Sequence, residues 1–182
     1  EIRDGRVASI GNGFAQPTPR GLLRLEPRLL AEFSDRERER RSYTPLAAVP
    51  RHVALAVVAS EDRRFFRHMG LDPLGIGRAT ARNVRARAFV EGGSTISQQL
   101  AKNVFLSRKR TLLRKLHEAL LAVLIELRYS KDQILELYLN QIYLGQRGTW
   151  SVCGLEEAAL YYFNKHVGEL SIGEGALLAG LI

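Results

Sequence analysis

From Pro50 onward, apolar residues recur at helical spacing, whereas the first forty-odd residues keep no sustained period. Four helices are predicted. RHVALAVVASEDRRFF (Arg51 to Phe66) is apolar all round from Val53 to Ala59, the pattern of a helix sunk in the core. GGSTISQQLAKN (Gly92 to Asn103) starts with two glycines and Ser94 as N-cap, and it sets Thr95, Gln98 or Gln99, and Lys102 on one face with Ile96, Leu100 and Val104 on the other. TLLRKLHEALLAVLIELR (Thr111 to Arg128) is almost wholly apolar in its second half. SKDQILELYLNQIYLG carries a capping box in Ser130 and Gln133 and a stop at Gly145. Before Pro50, only Arg6 to Ile10 and Leu22 to Leu25 read as short strands, divided by Gly and Pro turns, and the mixed charges of Asp35 to Arg41 read as a solvated stretch. The expected fold is mainly α, with a short, partly β lead-in over residues 1–44 and one helical domain over 45–182.

Composition narrows this picture slightly. The 182 residues are 46% hydrophobic and 25% charged, enough for one sizeable core. A net charge of +8 favours phosphate-bearing partners, whether nucleic acid, anionic lipid or a diphosphate substrate. Cys153 is the single cysteine, which excludes an internal disulfide or a cysteine-based zinc cluster, and it is expected to be buried. No apolar run reaches the roughly 18 to 20 residues that cross a bilayer, so any anchor is expected outside this chain. Ile182 ends inside an apolar run without a helix stop, so the sequence reads as a fragment, truncated at its C-terminal side.

Several polar residues sit where they invite chemistry. Glu61 continues the apolar stripe of Val53 and Val57, so its carboxylate is partly desolvated, with His68 seven residues on. Pairing of Glu61 and Asp62 with Arg63, Arg64 or Arg67 is the plain alternative. The amide groups at the start of the second helix suit an anion, with Lys102 further along, yet G-x-x-x-x-G-K-[ST] is absent and a simple wet helix face fits equally. Glu118 lies four residues after Arg114 and three after Lys115, which describes either an internal ion pair or a cradle for a diphosphate with a bridging cation. Asn140, a poor helix former among Leu and Tyr, needs a specific hydrogen-bond partner.

Taken in order, these segments resemble the peptidoglycan glycosyltransferase family, glycosyltransferase family 51, found in class A penicillin-binding proteins and in monofunctional polymerases. EDRRFFRHMG (Glu61 to Gly70) is similar to the family's E-D-x-x-F-x-x-H-x-G, and GGSTISQQLAKN to its second motif. RKLHE (Arg114 to Glu118) matches R-K-x-x-E, and KDQILELYLNQIYLG (Lys131 to Gly145) matches K-x-x-I-L-E-x-Y-L-N with its following glycine. The likeness covers about Pro45 to Ile182, and LLRLEP (Leu22 to Pro27) more loosely resembles the stretch before this domain in penicillin-binding proteins of the 1b kind.

The resemblance implies a lysozyme-like helical glycosyltransferase domain with a cleft, polymerising lipid II at the outer face of the cytoplasmic membrane. It implies that the 4-hydroxyl of the acceptor attacks the sugar carbon bonded to the lipid diphosphate of the growing chain, with inversion. By motif matching, Glu61 is the candidate general base. Glu118 would assist at the diphosphate together with a divalent cation, Mg²⁺ or Mn²⁺, associated with substrate. Asp62, Phe65, His68, Ser94, Thr95, Gln98, Gln99, Lys102, Asn103, Arg114 and Lys115 carry over as substrate-binding or orienting residues, and Tyr138, Asn140, Gly145 and Gln146 as supporting ones. The implied partners are lipid II with the growing glycan, the membrane surface, other cell wall synthesis proteins and a transpeptidase domain in the parent chain, with no nucleic acid.

The segment LDPLGIGRATARNVRARAFVE mixes apolar residues with four arginines, as in a helix lying on a membrane or in an ordinary basic amphipathic helix. Transpeptidase motifs of the Ser-x-x-Lys and Lys-Thr-Gly type do not occur in this segment. Two other classes remain to be separated by experiment. A nucleic-acid binder would account for the charge but lacks interleaved stacking aromatics, and a lysozyme-type hydrolase would shorten glycan where a polymerase lengthens it.

Overall fold

The computed structural model describes residues 42–88, 92–106 and 111–182, together with the backbone of five short strands between residues 2 and 40. The chain divides into two compact units, Glu1–Phe33 and Ser34–Ile182. In the first, β1 (Ile2–Arg3) pairs antiparallel with β2 (Arg6–Val7), and β3 (Ala15–Pro17) pairs antiparallel with β4 (Leu23–Leu25). The two strands expected from the sequence coincide with β2 and β4 over the described residues, and Ala8 to Ile10 lie outside them. The 1b-like stretch Leu22 to Pro27 and the mixed-charge run Asp35 to Arg41 otherwise lie outside the described residues.

The second unit is mainly α, as expected. Its described helices are α1 (Arg51–Glu61), α2 (Pro73–Ala86), α3 (Ile96–Phe105), α4 (Leu112–Arg128), α5 (Lys131–Gln141), α6 (Leu155–Phe163) and α7 (Ile172–Gly180). Val53, Val57, Ile96, Ile134, Tyr138 and Leu178 are fully buried and anchor one core to which α1, α3, α5 and α7 all contribute. α1 and α7 meet closely at Gly175, where a Cβ would come within 2.9 Å of Val53 Cγ2. Cys153 is buried, as its residue type suggests.

Four expectations are corrected. α1 is not buried on all sides, because Leu55 is 45% exposed while Val53, Ala54, Val57 and Val58 pack inward with Ala56 partly buried beside them. The N-cap of α3 is Thr95 and not Ser94: Thr95 Oγ1 accepts from the Gln98 N–H and the Gln98 side chain accepts from the Thr95 N–H, closing a capping box. That box buries Gln98, so the polar face predicted for this helix is narrower than the spacing suggested, and Val104 on the supposed inner face is 48% exposed. Finally, α5 ends at Gln141 and not at Gly145. Ile142 and Leu144 bury themselves in the core, and the chain turns at positive-φ Gly148 into a hairpin of β6 (Tyr143–Arg147) and β7 (Trp150–Cys153). β5 (Glu39–Arg40), from the lead-in, joins β7 in parallel, giving the strand order β5-β7-β6, with β6 and β7 in a region read from sequence as helical.

Candidate active site

The site begins where α1 stops. Glu61 is the last residue of this helix, and Asp62 breaks it with extended φ and ψ of −155° and 77°. The following turn sends Phe65 into the core and brings His68 back, so that its Nε2 lies 3.1 and 2.9 Å from the two carboxylate oxygens of Asp62. Asp62 Oδ2 also accepts from the backbone N–H of Ile96 at 3.1 Å, satisfying a donor in the first turn of α3. Gly70 completes the clamp. Its φ of +84° belongs to glycine, a Cβ there would come within 2.8 Å of the Ala122 carbonyl on α4, and its own carbonyl accepts from Thr95 Oγ1 at 2.6 Å. Capping, burial and close backbone approach therefore hold the ends of α1 and α3 together.

Across this junction, Gln99 Nε2 donates to Glu61 Oε2 at 2.8 Å, and the buried hydroxyl of Tyr138 donates to Gln99 Oε1 at 3.1 Å. Burial, with the nearby carboxylates of Glu61 and Asp62, pushes the Tyr138 phenol well above its ordinary range, so it stays neutral and keeps its proton. Glu61 itself is only partly buried and borders a cleft of about 310 Å³. One wall of the cleft is the end of α1 from Ser60 to Arg63; the others are Gly75, Arg78 and Arg82 on α2 and the Gly92 to Thr95 approach to α3.

Of the residues singled out from sequence, Glu61, Asp62, Ser94, Thr95 and Gln99 line this cleft. Glu118 does not. Its carboxylate is 2% exposed and takes hydrogen bonds from Arg114 Nη1 and, at 2.8 Å, from Lys115 Nζ. Lys115 also donates to Ser94 Oγ at 2.8 Å, so the Glu118 cluster meets the cleft at its Ser94 edge through that one ammonium group. Arg114 and Lys115 thus make the internal pairs that spacing allowed. Lys102 and Asn103 are exposed on α3 outside the cleft lining, while Phe65, His68 and Gln98 are buried behind it. Phe65 lies under Lys131 Nζ, 4.4 Å from the ring centroid.

The residues named as supporting separate into two places. Tyr138 braces Gln99, whereas Asn140 ties α5 to the preceding segment, accepting from Thr44 N–H and donating to the Thr44 and Glu136 carbonyls, each at 2.8 Å. Gly145 and Gln146 belong to β6, away from the cleft lining. Gly145 leaves room for the Tyr162 hydroxyl, which a Cβ there would meet and which donates to the Leu144 carbonyl at 2.8 Å.

Sequence reasoning missed Asp72, Gly75, Arg78 and Arg82 as cleft residues, having left their segment open between a membrane-facing helix and an ordinary basic amphipathic one. The available signal was the i, i+4 spacing of Arg78 and Arg82 on the same side as Gly75. Gly75 admits the Asp72 carboxylate, which would stand 2.6 Å from a Cβ, and Asp72 pairs with Arg64 Nε at 3.2 Å. Among the described residues no cluster of three or more His, Cys, Asp or Glu could hold a metal ion by itself. Glu118 offers one hard carboxylate, its two oxygens accepting from Arg114 and Lys115, and oxygen donors of this kind suit Mg²⁺.

The transglycosylase family profile matches residues 26–182, most of the chain. The chain belongs to the transglycosylase family. The transglycosylase domain is 55% identical over 143 residues to penicillin-binding protein 1A of Aquifex aeolicus, a match that covers 79% of this chain and 19% of that protein. It is 47% identical over 179 residues to penicillin-binding protein 1B of Vibrio cholerae, covering 98% and 23%, and 44% identical over 162 residues to penicillin-binding protein 1B of Escherichia coli, covering 89% and 19%. The chain thus spans about a fifth of the length of these curated relatives.

Proposed function

We propose that this transglycosylase domain is a peptidoglycan glycosyltransferase that polymerises lipid II into glycan strands. The observation that carries the reading is Glu61: a carboxylate at a helix end, held through Oε2 by Gln99 and bordering a cleft with Arg63, Arg78 and Arg82 in its walls. A sugar hydroxyl is a weak nucleophile until its proton has a destination. Glu61 takes that proton from the acceptor 4-hydroxyl as the oxygen attacks the anomeric carbon of the lipid-diphosphate donor. The C–O bond to the diphosphate breaks with inversion, and proton transfer of this kind contributes about 10²- to 10⁴-fold.

The departing diphosphate gathers negative charge, which cations stabilise best where water is excluded. Lys115, reaching from Glu118 to Ser94 at the cleft edge, is the residue to meet it, with Arg114 behind and Lys102, Arg78 and Arg82 as further cations. A divalent cation would be held by Glu118 and the substrate phosphates, where it would neutralise the leaving group. Ser94, Thr95, Gln98, Gln99 and Asn103 would serve sugars and phosphates directly or by shaping the wall, and Asp62, Phe65 and His68 would orient Glu61 from behind.

The domain would work at the outer face of the cytoplasmic membrane, in a parent chain that carries a transpeptidase. Among the described residues no helix is long and apolar enough to cross a membrane. What supports contact with the bilayer surface is α4, where Leu113, Leu116, Leu120, Leu124 and Leu127 follow helical spacing and are each at least half exposed. On α2, Leu74 and Val84 are exposed in the same way, next to arginines.

The test supplies lipid II and Mg²⁺ to the parent protein and to Glu61→Gln and measures glycan length. Near-complete loss of polymer in the variant is expected. Polymer of wild-type length and amount from Glu61→Gln would remove Glu61 from the mechanism, and shortening of finished glycan by the wild type would assign a hydrolase instead.

A further inference from the structure

Gln99 and Tyr138 stand behind Glu61 in a chain of two hydrogen bonds that spans three helices, from Tyr138 on α5 through Gln99 on α3 to the end of α1. The polarity of such a chain has a physical cause. An ionised carboxylate only accepts hydrogen bonds, so the Gln99 atom facing Glu61 must be its NH₂ group. That leaves the amide oxygen toward Tyr138, whose hydroxyl must donate. Turning the amide over would set its oxygen against the carboxylate and leave the buried phenolic O–H without its acceptor, and a buried polar group without a partner is costly. The Tyr138 side chain is fully buried, so water offers it no substitute.

We propose that Tyr138 is a positioning residue for the general base: its hydroxyl sets the orientation of the Gln99 amide, and the N–H so presented holds the Glu61 carboxylate in the orientation that receives the acceptor proton. The inference rests on the reading of Glu61 as that base. Tyr138 lies behind Gln99 and is absent from the cleft lining. Its influence therefore falls on the chemical step and not on substrate capture. Gln99 does line the cleft and is open to a sugar contact, so its own loss can alter both.

The experiment measures kcat and KM for lipid II polymerisation by the full-length parent protein as wild type, Tyr138→Phe, Gln99→Met and the double variant, with thermal unfolding of each. Methionine keeps the length of Gln99 and removes both hydrogen bonds without touching Tyr138. Tyr138→Phe should lower kcat about tenfold with KM within about twofold, a loss in keeping with slight misplacement of a catalytic group. The double variant should have the kcat of Gln99→Met alone, because once the amide is gone the hydroxyl has nothing to orient. A wild-type kcat in Tyr138→Phe, or losses that multiply in the double variant, would overturn the proposal. If Tyr138→Phe fails to fold, a wild-type kcat in Gln99→Met overturns it equally, and a reduced kcat with KM within about twofold supports it, since a lost sugar contact would raise KM as well. Glu61→Gln in the same series separates the two readings. An active Glu61→Gln removes the base itself, whereas an inactive one beside an unimpaired Tyr138→Phe removes only the brace.

Discussion

The carboxylate of Asp62 accepts from the backbone N–H of Ile96 at 3.1 Å, so one side chain joins the end of α1 to the beginning of α3. The same group takes His68 Nε2 at 2.9 Å, and it is 7% exposed. Glu61 precedes it directly, so the position of the candidate base relative to Gln99 depends on this junction. Asp62→Ala should lower unfolding stability by about 1.5 to 3 kcal/mol, the usual range for losing hydrogen bonds to a buried charged group, and should lower polymerisation with it. Urea unfolding measures the first and glycan yield the second; unchanged values for both would show that the helix ends are held without Asp62.

Glu118 is buried while Lys115 is half exposed, so the pair is asymmetric: the acid depends on its cations more than they depend on it. Glu118→Gln should cost about 1 to 3 kcal/mol of stability, since a neutral amide satisfies Arg114 and Lys115 less well. Its polymerisation should fall strongly and lose most of the wild type's response to added Mg²⁺ after chelation. A Mg²⁺ titration of both proteins decides the matter, and parallel curves would count against a role for Glu118 at the diphosphate.

Leu120 and Leu124 are 59% and 50% exposed on α4, so replacing both with Gln removes apolar surface that the folded chain does not bury. Stability should stay within about 0.5 kcal/mol of wild type, as is usual for surface changes. Binding to anionic phospholipid vesicles should weaken several-fold, because each leucine contributes in proportion to the area it inserts. Sedimentation with vesicles provides the measurement; equal binding would place the bilayer contact elsewhere.

Glu174, at the N-terminal turn of α7, is pulled down to about 2 from an ordinary 4.5, first by the Lys165 ammonium at 2.7 Å and then by Ser171 N–H and Oγ. A carboxylate depressed in the folded state stabilises above its unfolded pKa and loses that contribution as pH falls through the folded value. Between about pH 4.5 and 2, therefore, wild type should lose thermal stability faster than Glu174→Gln, the two curves converging near pH 2. Parallel acid limbs would show that this carboxylate is not linked to folding.

Much of the helical fold was legible because its signals are local. The Ser130 and Gln133 capping box lies within one turn and appears as read, and the Glu118 pairs with Arg114 and Lys115 follow from i, i+3 and i, i+4 geometry. Asn140 has the partners its residue type demanded, although the sequence could not name Thr44, 96 residues away, as one of them. The β6–β7 hairpin escaped because Tyr143 to Cys153 is short and its strands are stabilised by pairing with each other and with β5. The same limit hid the cleft role of Arg78 and Arg82, which a basic amphipathic pattern describes no differently from a membrane-facing pair.

The sequence by itself determined which stretches are helical, which residues carry acids, amides and cations, and the order of motifs by which the family is recognised. These depend on hydrogen bonds and side-chain spacings a few residues long. Only the tertiary structure decided that Gln98 is spent inside while Gln99 reaches Glu61, and that α4 turns Glu118 inward and its leucines outward. Those outcomes depend on which helix face the rest of the chain covers, a competition among long-range packing arrangements that no local stretch of residues encodes.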